Sequence, residues 1–379
     1  MTIPITNQAL KSNPLLEKEN LLVYQKACTA LEEWGSQYLL KIFQGKNLFS
    51  PGISYNIQQI RSQLEPLPFY FQLLDSLLEM LHRRKLINIA SQNIYQLSPA
   101  QSHASPILLD NQKQLLIEKY PFLVPETSFL ERVLKAYLSI LTGRENFLNI
   151  MFPAGRFDHI EAIYKKNIDS IYYNKLLAKL VITLLLKLPS DTPLKILEIG
   201  AGIGATTEQV LPLIADRKEL SIIYHYTDIS KVFVNYGKKN YYDRYPFLVC
   251  DPLNIEITPT MQGFNLEEYD VIIASNVLHA TKDILTTLHH IKLLIKSGGF
   301  LILNESTSKR DFSTLAFGLA TGWWASKDAW RIPGSPFISA ENWTTVLAIT
   351  GFKNISSSIN LLNSDINGYQ DIIIAINEK

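Results

Sequence analysis

Cysteine is nearly absent: Cys28 and Cys250 are the only two in 379 residues. They lie far apart and match no metal-ligand spacing. That excludes a disulfide-stapled scaffold and a cysteine metal site, and it points to a reducing, cytoplasmic setting. Long hydrophobic runs are missing too. The longest apolar stretch, Leu180 to Leu186 within a lysine-flanked helix, is far too short to span a bilayer. The opening MTIPITNQALKSNP lacks the basic-then-apolar pattern of a signal peptide. Excess charge of either sign is absent. A formal net charge of +1 argues against nucleic acid or an anionic membrane as the partner. Internal repeats and low-complexity tracts are also lacking. Against these absences, 47% of residues are hydrophobic and 19% charged, so the chain is expected to be soluble, with a sizeable core and room for two compact units.

Apolar positions recur at helical spacing over residues 20–45: Leu21, Tyr24, Cys28, Leu31, Trp34, Tyr38, Leu39 and Ile42. FYFQLLDSLLEMLHRRKL (69–86) predicts a second helix, and INIASQNIYQL (87–97) a short hairpin. This order fits a winged-helix-like module and a plain helical cap equally. The run His82-Arg83-Arg84-Lys85 reads either as a patch for an acidic partner or as a solvated helix end. Further helices are expected at 127–141 and over 157–188. Pro189-Ser-Asp-Thr-Pro193 marks the best internal boundary. The expected division is therefore an N-terminal helical subdomain over 1–148, lid or connecting helices over 149–190, and a core over 191–379.

The core alternates strand and helix. LKILEIG, LSIIYHYTD, PFLVC, DVIIAS and FLILNE read as strands; 206–215, 231–244 and 282–296 read as helices; Ser297-Gly298-Gly299 reads as a turn. Alternation of this kind predicts a parallel sheet covered on both faces, an α/β class. Phe352–Ile359 and Asp371–Ile376 read instead as an antiparallel pair at one edge.

Glu198-Ile-Gly200-Ala-Gly202-Ile-Gly204 follows a strand and opens a helix. Gly200 allows the sharp turn, and Gly202 lets a ligand approach bare backbone next to a positive helix end. Asp228, ending the next strand, is placed to accept ribose hydroxyls; it also suits a helix cap. Leu253 and Asn254 follow the third strand as an apolar wall and an amide for a base, with Asp251 a rival and a plain turn after Pro252 the alternative. Read as a bare pattern, these residues serve NAD or S-adenosylmethionine alike. Glu198 favours the sulfonium cofactor, because an acid before the first glycine repels a pyrophosphate. At the end of the Asp270–Ala274 strand comes Asn276-Val-Leu-His279-Ala-Thr281. His279 stands where open α/β sheets place chemistry, and Asn276 is counted with the cofactor contacts. His289 and His290 read as structural, and no residues have metal-ligand spacing. Tyr172, Tyr173 and Asn174 lie where a lid would meet the cofactor, or else they pack; Trp323, Trp324 and Trp330 line a substrate tunnel or belong to the core.

ILEIGAGIGATT (196–207), YTDIS (226–230), IIASNVLHAT (272–281), LILNE (301–305), FGLATGWW (317–324), RIPGSPFISAENW (331–343) and the upstream MFPAGRFDHIEAIY (151–164) resemble the methyltransferase domains of modular polyketide synthases. The resemblance is strong over 150–379 and loose before it. It implies a class I methyltransferase fold, a Rossmann-like seven-stranded sheet with an N-terminal helical lid subdomain. It also implies S-adenosylmethionine as donor, a substrate tethered to an acyl carrier protein, and a His–Glu catalytic pair that maps onto His279 and Glu305. The family's usual GAGTGGTT is here altered at Ile203 and Ala205, which leaves all three glycines of the turn.

The expected reaction is methylation of the α-carbon of a β-ketoacyl intermediate, with His279 as base. The alternative is oxygen methylation of a β-hydroxyl or enol on the same kind of chain. Rivals from other classes are an inactive scaffold and an NAD-dependent reductase. No carrier-protein, ketosynthase or acyltransferase motif is present, so the expectation is either a free-standing enzyme or an excised domain.

Overall fold

The computed structural model describes residues 14–90, 93–99, 106–189, 192–357 and 369–378. The opening segment 1–13, residues 190–191 of the expected boundary, 91–92 of the hairpin and 358–368 before the last strand lie outside these residues.

The N-terminal half opens with α1 (Pro14–Gln44), then β1 (Ser54–Asn56), α2 (Ile57–Leu64), α3 (Phe71–Arg83), β2 (Ile87–Ala90) and β3 (Ile94–Leu97). The strands form a three-stranded antiparallel sheet in the order β1-β3-β2. Asn56 starts α2 with a reciprocal capping box, its side chain taking the Gln59 amide while Gln59 takes its own. α4 (Pro106–Lys119), α5 (Val124–Leu141), α6 (Phe147–Met151), α7 (Asp158–Tyr164) and α8 (Ile168–Leu185) follow. The periodicity had left out α2 and α4, which are short or only weakly amphipathic. Leu31, Leu73, Leu77, Leu130 and Leu134 share one buried cluster with Ile203, Phe312 and Leu315, so the helical half and the core pack through a continuous apolar interior.

His82, Arg83 and Lys85 are exposed at a helix end, as one reading of the basic run expects, but both arginines have protein partners. Arg84 is largely covered, with Nε 2.5 Å from Asp311 and a guanidinium nitrogen 3.0 Å from Glu32. Arg83 also reaches Asp311, at 2.5 Å. Glu32 lies 52 positions and Asp311 227 positions from Arg84, so no local pattern announces either partner.

The core runs β4 (Leu194–Ile199), α9 (Thr207–Ala215), β5 (Ile222–Asp228), α10 (Lys231–Tyr241), β6 (Leu248–Pro252), β7 (Tyr269–Ser275), α11 (Ile284–Leu294), β8 (Ile295–Ser306), α12 (Asp311–Phe317), α13 (Ala340–Ile349), β9 (Lys353–Ser357) and β10 (Gln370–Ile376). Its seven strands lie in the order β6-β5-β4-β7-β8-β10-β9. The first five are parallel; β10 runs antiparallel to both β8 and β9. One face packs on α8, α9 and α10, the other on α11 and α13. Burial on both faces explains why β7 reads as an unbroken apolar run. The expected turn at Ser297–Gly299 is an irregularity within β8, where the pairing with β7 shifts register and Gly298 is left-handed (φ +79°), its amide donating to the Asn377 carbonyl at 2.7 Å. Among the described residues no helix is long and apolar enough to cross a membrane.

Candidate functional site

The glycine turn joins β4 to α9. At Gly200 (φ +65°) an added Cβ would stand 2.3 Å from Cγ2 of Val277, and at Gly204 2.5 Å from the Tyr241 hydroxyl. Protein packing thus demands those two glycines. Gly202 (φ +57°) differs, because its Cβ would meet nothing nearer than the Gly200 carbonyl at 4.0 Å. The open side of the turn is therefore the face where a ligand can reach backbone.

Glu198 lies beneath this turn rather than on it. It is fully buried and accepts from the Thr207 hydroxyl at 2.5 Å and the Tyr224 hydroxyl at 2.7 Å. Burial pushes its carboxyl up to about 7. The repulsion argument drawn from its charge is therefore corrected: near neutral pH much of the carboxyl is protonated, and its partners are protein hydroxyls.

Asp228 holds the turn from the next strand. Its Oδ2 accepts the Gly202 amide at 2.9 Å and its Oδ1 the Ser230 amide at 2.8 Å, while burial raises its carboxyl above the usual range. The Ser230 bond is a local Asx turn and not the helix cap anticipated as the alternative: the N-cap of α10 is Ser230, which has no side-chain cap bond. Each oxygen keeps acceptor capacity for a ligand hydroxyl. Beyond it Ile229 and Val232 are 64% and 59% exposed, an apolar rim that sequence reasoning passed over. Its signal was two β-branched residues at a helix start, where polar ones are usual. Leu253 is buried against the end of β5, its amide donating to the Asp228 carbonyl at 3.0 Å. The Asn254 side-chain oxygen accepts the Glu256 amide at 3.0 Å, and Gln262 clamps its backbone, so its carboxamide nitrogen is the group left for a ligand. Asp251 turns to His225 instead, at 2.9 Å.

Asn276 (φ +50°) turns the chain sharply after β7, and its side-chain oxygen ties Ser306 at the end of β8 through amide and hydroxyl at 3.1 and 3.0 Å. The turn carries His279 back over the sheet. Its Nδ1 lies 2.6 Å from Oε2 of Glu305, whose Oε1 accepts the Val277 and Leu278 amides at 3.0 and 2.8 Å. Glu305 is completely buried and His279 almost so. A carboxylate facing Nδ1 requires the proton there, which leaves the Nε2 lone pair free.

Arg331 completes the support. It donates to the His279 and Thr281 carbonyls at 2.6 and 3.0 Å and is held by Asp328 at 2.8 Å. Neither residue was singled out from sequence; their partners lie across a long loop. Phe337 packs edge-on to His279 at 5.0 Å, and Trp323 to Phe337 at 5.3 Å. Trp324 instead bonds the Gly318 carbonyl, and Trp330 packs on the α11–α13 side. Asn174 is a hub, accepting from Thr206 at 2.8 Å and Asn304 at 3.2 Å, while Tyr173 is core. Tyr164, 38% exposed, packs its ring on Phe317 at 5.8 Å.

Open backbone at Gly202, spare acceptors on Asp228 and an apolar rim suit an adenosyl ligand with an amino-acid tail. A family profile described as a methyltransferase domain matches residues 197–301. The polyketide synthase ThaQ of Burkholderia thailandensis is 30% identical over 359 residues, which cover 92% of this chain and 17% of that protein. The chain thus spans less than a fifth of that curated relative. The crystal structure of DszA carbon methyltransferase superposes with a TM-score of 0.88 at 33% identity, covering 96% of this chain and 93% of that one. CurJ carbon methyltransferase gives 0.84 at 29%, covering 94% of each. The chain belongs to the polyketide synthase-type methyltransferase domains, class I enzymes that use S-adenosylmethionine.

Proposed function

We propose that this chain methylates the α-carbon of a β-ketoacyl group held as a thioester on an acyl carrier protein, with His279 as base and Glu305 as its positioning partner. The observation that carries the reading is the 2.6 Å His279–Glu305 bond at the ends of adjacent strands, beside the strand that bears the glycine turn. A carbon between a ketone and a thioester is acidic enough for an imidazole to deprotonate near neutrality. Nε2 of His279 takes that proton, and the buried carboxylate on Nδ1 stabilises the imidazolium. Phe337 and Trp323 keep water from the imidazole, which strengthens the pair. S-adenosylmethionine, when bound, supplies an electrophilic methyl group.

Gly202, Asp228, Leu253 and Asn254 are the proposed donor contacts. Gly200, Gly204, Glu198 and Asn276 shape the turn and strand ends around it. The kinship with carbon methyltransferases supports carbon over oxygen. We also assign residues 1–148 to a winged-helix-like subdomain, supported by the order α1-β1-α2-α3-β2-β3 and the β1–β3 pairing. Residues 149–190 are then the lid and 191–379 the core, and the cytoplasm is the setting.

Intact-protein mass spectrometry tests the reading. Carrier proteins loaded with β-keto or β-hydroxy chains are incubated with the enzyme and donor. The β-keto species gains the mass of one methylene, and His279→Ala slows that gain by about a hundredfold or more. Gain on the β-hydroxy species alone makes the chain an oxygen methyltransferase. Donor binding without transfer to either makes it a scaffold.

A further inference from the structure

Lys165 follows α7 in the lid segment, yet its ammonium is buried against the core. Its side chain is 7% exposed, and Nζ lies 2.7 Å from Glu208 Oε1 on α9 and 3.0 Å from the hydroxyls of Tyr236 and Tyr241 on α10. An ammonium has three protons and no acceptor, so these three oxygens use it fully. It therefore has no donor left for a ligand, and any effect on the cofactor passes through its neighbours.

The donor-only character of lysine sets the direction of the network. Both tyrosine hydroxyls must accept from Nζ, and burial keeps both phenols protonated by raising them far above their usual range. Each has one proton left to give. Tyr236 gives its own to Glu161 of α7, at 2.5 Å. Tyr241 is left with three acceptors in reach: the carbonyls of Ile203 at 3.3 Å and Gly204 at 3.5 Å, and Glu208 at 3.2 Å. Ile203 and Gly204 are the far half of the glycine turn, and the Tyr241 hydroxyl fills the space that a side chain on Gly204 would need. Lys165 thus joins the lid, through Glu161 and its own backbone, to the carbonyl side of the turn whose other face receives the cofactor.

We propose that Lys165 is a positioning residue that couples seating of the 158–165 lid segment to the shape of the cofactor-binding turn through Tyr241. Cofactor affinity then depends on a residue that never touches the cofactor, and cofactor binding tightens the lid in return. Without the ammonium, the Tyr241 proton goes to the Glu208 carboxylate, the strongest acceptor left. The turn carbonyls lose their support; the direct Tyr236–Glu161 bond still joins α10 to α7, but the cation that links this bond to Tyr241 and the turn is gone.

The inference rests on S-adenosylmethionine as the cofactor, and S-adenosylhomocysteine is the probe. Calorimetric titration of the wild type, Lys165→Met, Tyr241→Phe and the double variant is combined with melting curves without ligand. Both single variants are expected to weaken binding about tenfold, and the double variant no more than the weaker single, because coupled residues are not additive. Hydrogen exchange over 158–165 slows on ligand addition in the wild type and not in Lys165→Met. A lysine that serves stability alone lowers the melting temperature and leaves the dissociation constant within about twofold. That outcome, or additive losses, overturns the proposal. Tyr241→Phe removes a single oxygen, so wild-type affinity in that variant overturns it even if Lys165→Met does not fold. A wild type that does not bind the probe refutes the cofactor assignment instead.

Discussion

Replacing Glu305 with glutamine tests the proposed base more sharply than removing either partner. Oε1 accepts two backbone amides, Val277 and Leu278, and Oε2 faces His279 Nδ1 at 2.6 Å. A glutamine in this buried place has only one tolerable orientation. Its carbonyl must face the two amides, since an NH2 group there would oppose two donors. The NH2 then falls against Nδ1 and can only donate. A neutral imidazole answers by moving its proton to Nε2, the atom proposed to act as base. The competing tautomer opposes N–H to N–H in a buried site and costs roughly 1–3 kcal/mol. An asparagine that traps the wrong tautomer in a serine-protease triad lowers turnover by about 10⁴, near 5.5 kcal/mol of barrier, and a similar loss is expected here. Glu305→Ala is the poorer experiment, because three buried donors lose their acceptor at about 1–3 kcal/mol each and the fold suffers with the chemistry. The assay is transfer to carrier-bound β-keto chains, alongside S-adenosylhomocysteine titration and nitrogen-15 spectra of His279. Expected are unchanged binding, a protonated Nε2 and the large rate loss. A Glu305→Gln enzyme working within about tenfold of wild type, or one whose proton stays on Nδ1, would refute the argument.

Gly202→Ala is expected to weaken S-adenosylhomocysteine binding about tenfold while costing only the 1–2 kcal/mol of a left-handed alanine, whereas Gly200→Ala, blocked by Val277, loses about 3 kcal/mol or more in denaturant unfolding; equal effects at the two sites contradict the division between ligand face and packing face. Asp228→Ala frees the Gly202 and Ser230 amides, so it is expected to cost roughly 1–3 kcal/mol in unfolding and also to raise the ligand dissociation constant; an unchanged constant would leave Asp228 only as a brace of the glycine turn. Glu126 is buried, with Tyr24 donating at 3.1 Å and its second oxygen lacking a partner among the described residues, and burial pushes its carboxyl from an ordinary 4.5 up to about 7. Between those values the unfolded chain releases this proton while the folded one keeps it, so stability falls as pH rises from about 4.5 to 7, by roughly 3 kcal/mol in total, and is level above. Glu126→Gln is expected to flatten that part of the denaturant-measured pH profile, and an unaltered slope would show that Glu126 does not titrate there.

Much of the layout was legible because it is written locally. Strand–helix alternation, the glycines of 200–204 and the polar residues at strand ends follow from period, turn chemistry and neighbour order. Parallel topology brings strand ends together, which marks His279 after β7, whereas Glu305 as its partner is implied by the resemblance to polyketide synthase methyltransferase domains. Less legible were residues whose role depends on which remote group they meet. The Arg83–Arg84 run looked free of protein partners, Glu198 looked like a charge facing the ligand, Asn174 read as a lid or packing residue rather than a hydrogen-bond hub, and Asp328 and Lys165 carried no local pattern. Helices α2 and α4 were missed for a related reason. α2 is only eight residues, too short for a repeat to show, and α4 has a weak apolar face, so packing rather than periodicity selects them.

The amino-acid order by itself determined the α/β core, the turn that exposes bare backbone at Gly202 and the place of His279 after a strand end, since backbone sterics and hydrophobic period act over a few residues; the pairing with Glu305 came from the family resemblance. Only the tertiary structure decided which charges are buried and with whom: Arg84 with Glu32 and Asp311, Lys165 with Glu208, Glu305 with three donors. A side chain's ionisation and partners depend on solvent exclusion and on distances of a few ångströms, and folding alone sets both.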